Sequence, residues 1–536
     1  MAAPVRATPV RRSRWLSRSR AVTLESVVLF GAVVGIAAAA RWPNLWLIPT
    51  FTDETIEVRL AYDIARGVVA PLTNVDPYIG AFWNWVLALG FWVFGLNPWL
   101  PRLLSFVCGV LTVGAAWWLG RELAGRVGAL VAALFMAGCS THVLVNSHVA
   151  WSHSTTPLWT TLGFAFLMRA LRGGPAHSSL AGQRGRWLIG AGFFLGLGVQ
   201  THITGVLLLP GAALAVLLLR PGLLRTRWAA LGVAAFALAI SNLIVFNIQT
   251  GGATFTGGQA VLSDYTGQDE GVDAGNYTEN IGRLTLATSW VLSGAIEKRR
   301  FVGETLMQPL LIGYLALAVG SAAWAARRGY LLPALVAVPY VLVLPMLQGK
   351  YEPILNGRYV MPILPLVFAS IGLVTADALT LARRRLGWRG RGPVVGGLLL
   401  GLVALAALYP LAGLASYQRS ARTNHAILAA HEAVLAARYP DEVVLVDYGL
   451  DGVFFMAAGS AFKSMELLLG GSSVPYTVID ARAASLEDAL TDHETRLLVL
   501  NTEKVRVLSR NFTLTALMGG ERDGPGFGVF RVSAQP

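Results

Sequence analysis

Residues 101–145 read PRLLSFVCGVLTVGAAWWLG, then RELAGR, then VGALVAALFMAGCSTHVLV. Each flanking run is about twenty residues long, enough at roughly 1.5 Å per residue to cross a hydrocarbon layer of about 30 Å. Between them stand Arg121 and Arg126, and loops on the cytoplasmic side are where Lys and Arg collect. The stretch predicts two crossings joined on the cytoplasmic side, one opening at Arg102, the other ending outside at a polar turn, NSHVAWSHS (146–154).

The same alternation continues in both directions. An apolar run over 22–40 follows Arg6, Arg11, Arg12, Arg14, Arg18 and Arg20, and reads as an uncleaved first helix with its N-terminus in the cytoplasm. Downstream, 155–171 ends at Arg169 and Arg172, and 187–219 reads as two short spans bent at VQTHITG. Further runs at 228–248, 306–326, 330–348, 359–382 and 394–413 bring the expected total to about eleven crossings. A first outer loop covers 41–99 and a long one 249–305. Within the first, GAFWNWVLALGFWVFG (80–95) is apolar but short and Trp-rich, and predicts a helix lying at the interface.

From 415 the character changes. NHAILAAHEAVLAARY reads as a helix, and EVVLVDYG, PYTVIDA, RLLVLN and FGVFRV as strands of a small α/β domain. The expected organisation is a basic cytoplasmic segment (1–21), an all-α polytopic membrane bundle (22–414) and an extracytoplasmic α/β domain (415–536). Such a chain is a multi-pass protein of the plasma (inner) membrane.

Composition agrees. With 54% hydrophobic and 14% charged residues, the chain has too little polar surface to close a soluble globule of 536 residues. The formal charge of +13 sits in short clusters that set topology. No basic soluble face with interleaved aromatics indicates a nucleic-acid partner. Cys108 and Cys139 lie inside apolar runs and read as packing residues, and the scattered Trp residues read as interface anchors.

The ionisable residues at outer ends stand out. In FTDETIEVRLAYDIARG (51–67), Thr52 can cap a helix that Asp53 and Glu54 open, with Ile56, Leu60 and Ile64 as its apolar stripe. Acids at a helix N-terminus satisfy the dipole; a carboxylate there can also take a proton from a hydroxyl nucleophile. Arg102, and Arg358 after Lys350, lie against the positive-inside trend. An arginine fork suits a phosphate; snorkelling, or an ion pair to Asp53 or Glu352, serves equally. His148 and His153, with Asn146, fall in the turn after 145, and Gln200 and His202 in the bend of 187–219. They can orient a sugar, or only hydrogen-bond at the interface; no metal-ligand spacing is evident. Asn276 and Asn511 head sequons on expected outer surface.

The acidic pair, the interfacial helix, the arginine in NPWLPRLLSFVCGVLTVGAAWWLGRELAG and the Arg-Tyr of NGRYVMPILPLVFASIGL together resemble the GT-C glycosyltransferases. The resemblance covers about 22–415 and favours the branch of protein O-mannosyltransferases and bacterial aminoarabinose transferases. It implies an enzyme without a cofactor, moving a sugar from a polyprenyl phosphate to a protein, lipid or glycan hydroxyl; the lack of a strong metal-ligand constellation favours the metal-independent members, with a divalent metal left open. Asp53 would be the general base, Glu54 its helper, and Arg102 and Arg358 the phosphate holders. Lys350, Tyr359, His153 and His202 complete the expected substrate-binding set. The chain departs from the family at Gln200-Thr201-His202, where relatives often carry Thr-Lys. The other readings are a transporter or lipid flippase, and a non-catalytic envelope-assembly subunit. A transporter usually sets its ionisable residues at the midplane and repeats its halves; here the charges gather at the rim and no repeat is seen.

Overall fold

The computed structural model describes residues 24–46, 52–97, 99–172, 184–255, 274–294, 304–347, 349, 351, 356–387, 391–420, 426–447, 465–479, 481–491, 494–519 and 527–535. The basic segment 1–21 and Lys350 and Glu352 lie outside them, as do the side chains of Thr52 and Asp53.

Residues 101–145 form the expected hairpin. The helical stretch Leu100–Gly138 is broken at Ala124 and Gly125, and Gly125 has φ 69°, a conformation glycine adopts without a Cβ penalty. The arms then run so close at the corner that a Cβ on either Gly120 or Gly128 would collide with the other's carbonyl. Close backbone approach through small residues is how helices associate in lipid, where apolar surface gains nothing by leaving the solvent. Glu122 at this corner is held by Arg169 at 2.9 Å and Arg172 at 2.8 Å. Part of the arginine cluster that marks topology is thereby neutralised by a buried carboxylate.

Five helices among the described residues are long and apolar enough to cross a membrane, and six if Arg227–Ala239 and Ser241–Thr250, bent by 64°, form one span. Of the remaining runs in the expected eleven, 155–171 lies in the unbroken 20-residue helix Ser152–Leu171, which is not apolar enough to count, and others are shorter or broken helices. Trp187–Thr201 has 15 residues and continues, after an extended break at His202, into Ile203–Leu208 and Leu209–Leu219. Leu332–Leu347 has 16. Phe82–Phe94, the expected interfacial helix, has 13 residues, below the roughly twenty needed to cross.

The C-terminal region folds into a five-stranded mixed sheet of order β2-β1-β3-β5-β4. β1 (Val444–Asp447) pairs in parallel with β2 (Tyr476–Ile479) and β3 (Thr495–Asn501), while β5 (Phe527–Ala534) is antiparallel to β3 and to β4 (Phe512–Gly519). Four of these strands match the sequence reading; β4 was not among them. It is an edge strand with most residues at least partly exposed, so the apolar signal of a buried strand is weak.

Alternation along the strands divides the sheet into two faces. Leu445, Leu498 and Phe530 pack under the helices Ala483–Ala489 and Thr502–Leu508. Val446, Leu497, Val499 and Val529 share a core with Val58, Ala61, Tyr62, Trp83 and Leu87 of the first outer loop. The hydroxyls of Tyr62 and Tyr476 are 2.7 Å apart. The sheet thus rests on the helices Thr52–Ala65 and Phe82–Phe94, which requires the first loop and the C-terminal domain to lie on one side of the membrane.

Candidate active site

The helix Thr52–Ala65 turns two carboxylates inward, Glu54 and Glu57, three residues apart on one face. Glu54 receives a two-point fork from Arg102, Nε to Oε1 at 2.7 Å and Nη2 to Oε2 at 2.6 Å, and Arg102 Nη1 also donates to the Leu45 carbonyl at 2.9 Å. Both side chains are buried, where charges persist only if paired and hydrogen-bonded. Sequence left Arg102 between phosphate, lipid headgroup and an ion pair to Asp53 or Glu352, whose side chains lie outside the described residues; among the described residues its carboxylate partner is Glu54.

Both carboxylates also grip the turn that precedes the helix Ser152–Leu171. The Ala150 amide donates to Glu54 Oε1 at 2.9 Å. The Ser152 amide donates to Glu57 Oε2 at 2.9 Å, and the Ser152 hydroxyl donates to the same oxygen. Asn74 Nδ2 donates to Glu57 Oε1 at 2.9 Å. Trp151, between the two gripped amides, is buried rather than anchored at an interface, which corrects the reading of the Trp residues at this position.

Trp151 opens onto a second cluster. The Arg358 guanidinium carbon lies 4.4 Å from the Trp151 ring centroid and 4.6 Å from that of Tyr359, both within cation–π range. Arg358 Nη2 donates to the Tyr359 hydroxyl at 3.1 Å. His153 stacks on His202 with centroids 3.7 Å apart and planes 15° from parallel. Tyr359 stands 5.4 Å from the first ring and 5.8 Å from the second. Neither ring nitrogen of His153 has a hydrogen-bond partner among the described residues, although the side chain is 1% exposed. A buried polar group in that state is an opening for a ligand contact.

Local structure explains these positions. His202 occupies the extended break between two helices, and its Nδ1 accepts from the Thr204 amide at 3.2 Å, capping the turn that follows. Arg358 and Tyr359 belong to the short turn Asn356–Val360 ahead of Leu364–Leu386, and the Tyr340 hydroxyl donates to the Tyr359 carbonyl. A Cβ at Gly357 would come 2.6 Å from Val291, so glycine lets this turn press inward.

Four sequence candidates, Arg358, Tyr359, His153 and His202, are therefore brought together. Glu54 and Arg102 form the adjoining pair. Asp53 sits in the first turn of the helix whose later residues carry the carboxylate grip, and its side chain, like Lys350, lies outside the described residues. Sequence reasoning missed Glu57 and Trp151. The spacing of Glu57 from Glu54 could have flagged the first; nothing local distinguishes Trp151 from the chain's other 15 tryptophans. Among the described residues, no group of three or more His, Cys, Asp or Glu is placed to hold a metal ion.

Comparisons with known proteins find similarity in part of the sequence and in the fold. Residues 80–245 match the family described as dolichyl-phosphate-mannose-protein mannosyltransferase. By sequence, no curated protein matches significantly. The structure of ArnT from Cupriavidus metallidurans bound to undecaprenyl phosphate superposes with TM-score 0.58 at 16% identity, covering 95% of this chain and 98% of that one. Its apo state gives 0.57 at 16%, covering 94% and 97%. An oligosaccharyltransferase from Archaeoglobus fulgidus gives 0.48 at 13%, covering 96% and 74%. Part of the sequence is thus similar to a mannosyltransferase family, and the whole chain shares its fold with the Cupriavidus metallidurans protein.

Proposed function

We propose that the protein moves a sugar from a polyprenyl-phosphate donor to a hydroxyl acceptor, with inversion, on the side of the membrane that holds the C-terminal domain. That side is the extracytoplasmic face of the plasma membrane, with the N-terminus in the cytoplasm. The observation that carries the reading is the buried cluster of Arg358, Tyr359, His153 and His202 beside the helix Thr52–Ala65. The undecaprenyl phosphate bound by the Cupriavidus metallidurans protein supports a lipid-phosphate donor.

In this mechanism the acceptor oxygen attacks the anomeric carbon while Asp53 takes its proton. The bond from that carbon to the phosphate oxygen breaks, and its electron pair leaves on the phosphate. The departing group needs charge stabilisation more than protonation, which the Arg358 guanidinium supplies in a site where water is scarce. Lys350 is the second proposed cation, and Tyr359, His153 and His202 are the proposed donor contacts. Glu54 and Arg102 serve the site by holding its frame. The acceptor is a protein, lipid or glycan hydroxyl.

The test is transfer of label from a panel of polyprenyl-phosphate sugars to envelope acceptors by the purified protein, wild type beside Asp53→Asn. Label moved by wild type alone establishes the reaction and its base. Transfer by neither from any donor, with both forms folded, overturns the reading.

A further inference from the structure

We infer that Glu57 is a positioning residue for the donor site, setting the N-terminus of the helix Ser152–Leu171 and, through it, Trp151 and His153. The inference rests on the proposed function. A helix N-terminus leaves its first amides without intrahelical partners. Here the Ser152 amide and hydroxyl both donate to Glu57 Oε2, an acceptor that comes from 95 residues upstream. A carboxylate is the strongest such acceptor and also meets the positive end of the helix dipole.

Glu57 is itself fixed on every side the structure shows. Asn74 Nδ2 donates to its other oxygen, and Asn84 Nδ2 donates to its backbone carbonyl at 3.0 Å. Asn74 cannot turn its amide round without cost, because its Oδ1 accepts from the Asp76 amide at 2.6 Å. The carboxylate is 3% exposed, so little water competes for it. Trp151 precedes the gripped residue and lies under Arg358; His153 follows it and stacks on His202. A shift of the Ser152 amide moves both neighbours, one against the guanidinium and the other against the stacked ring.

Glu57→Gln keeps the shape of the side chain but sets an NH2 against one of two donors, Asn74 or Ser152. The experiment measures binding of undecaprenyl phosphate and donor kinetics for wild type, Glu57→Gln, His153→Ala and the double variant. The expected result is a rise of about ten-fold in Kd and donor KM for Glu57→Gln, on the scale of one lost charge-assisted hydrogen bond. Acceptor KM stays within about two-fold of wild type, and the two substitutions combine to much less than the product of their separate effects. A purely structural residue would instead lower the yield of folded protein and leave donor Kd unchanged, and that result, or full additivity with His153→Ala, overturns the inference. Ser152→Ala, which removes only the hydroxyl contact, gives the same test if Glu57→Gln does not fold. Wild type that binds no undecaprenyl phosphate would count against the proposed function, whereas binding by wild type that Glu57→Gln leaves unaltered counts against this inference alone.

Discussion

Arg102 and Arg358 look alike in the sequence, each a basic residue at the outer end of an apolar run, yet the structure surrounds them differently. Arg102 lies fully buried with a carboxylate fork on two of its nitrogens. Arg358 is almost as buried but rests against two aromatic faces and a phenol. Among the described residues, Glu54 cancels the charge of Arg102 within the protein, whereas Arg358 meets ring faces, which attract a cation. The difference teaches that position along a span marks an arginine as unusual, and that only the fold decides which partner it meets.

The largest expected effect tests the helix that carries the partner of Arg102. Asp53→Asn should reduce transfer by a factor of about 100 to 10,000, the range for removing a general base, while the thermal midpoint in detergent stays unchanged. Residual activity near wild type would remove Asp53 from the chemistry. Next, Arg102→Ala should cost about 3–5 kcal/mol of stability, because it strands a buried carboxylate. A large drop in midpoint is expected, and a normal midpoint with weakened donor binding would give Arg102 the role assigned to Arg358. Arg358→Lys retains the charge but loses the planar stack and fork, so donor KM should rise about ten-fold with a small change in midpoint; a change in midpoint alone would make the two arginines equivalent. The smallest effect belongs to Tyr62→Phe, which removes one hydroxyl contact to Tyr476 and should cost about 0.5–1.5 kcal/mol. Proteolysis of the C-terminal domain should quicken slightly, and no change would show that the apolar face alone holds the sheet.

Much of this was legible in residue order. Composition and the alternation of apolar runs with arginines gave the membrane class, and VQTHITG marked the break that presents His202. Arg358 and the two histidines were singled out from their placement and chemistry and Tyr359 from the resemblance, and the fold brings them together. What stayed hidden depends on contacts between distant residues. The pairing of Arg102 with Glu54 spans 48 positions, and that of Glu57 with Ser152 spans 95. Periodicity reports which face of a helix is apolar and is silent about which polar group meets it across the fold. The crossing count was blurred for a related reason, since a hairpin with a tight glycine corner and a run of short broken helices carry the same hydropathy as intact spans.

The contact between Tyr62 and Tyr476 also has a consequence in time. The two residues are 414 apart, so a ribosome adding about 5–20 residues per second makes the helix that carries Asp53 roughly 20–80 s before the strand that covers it. During that interval Val58, Ala61 and Tyr62 await the face of the sheet. The later-made sheet closes over a helix made early, beside the proposed chemistry, and a chain halted before β2 lacks that cover.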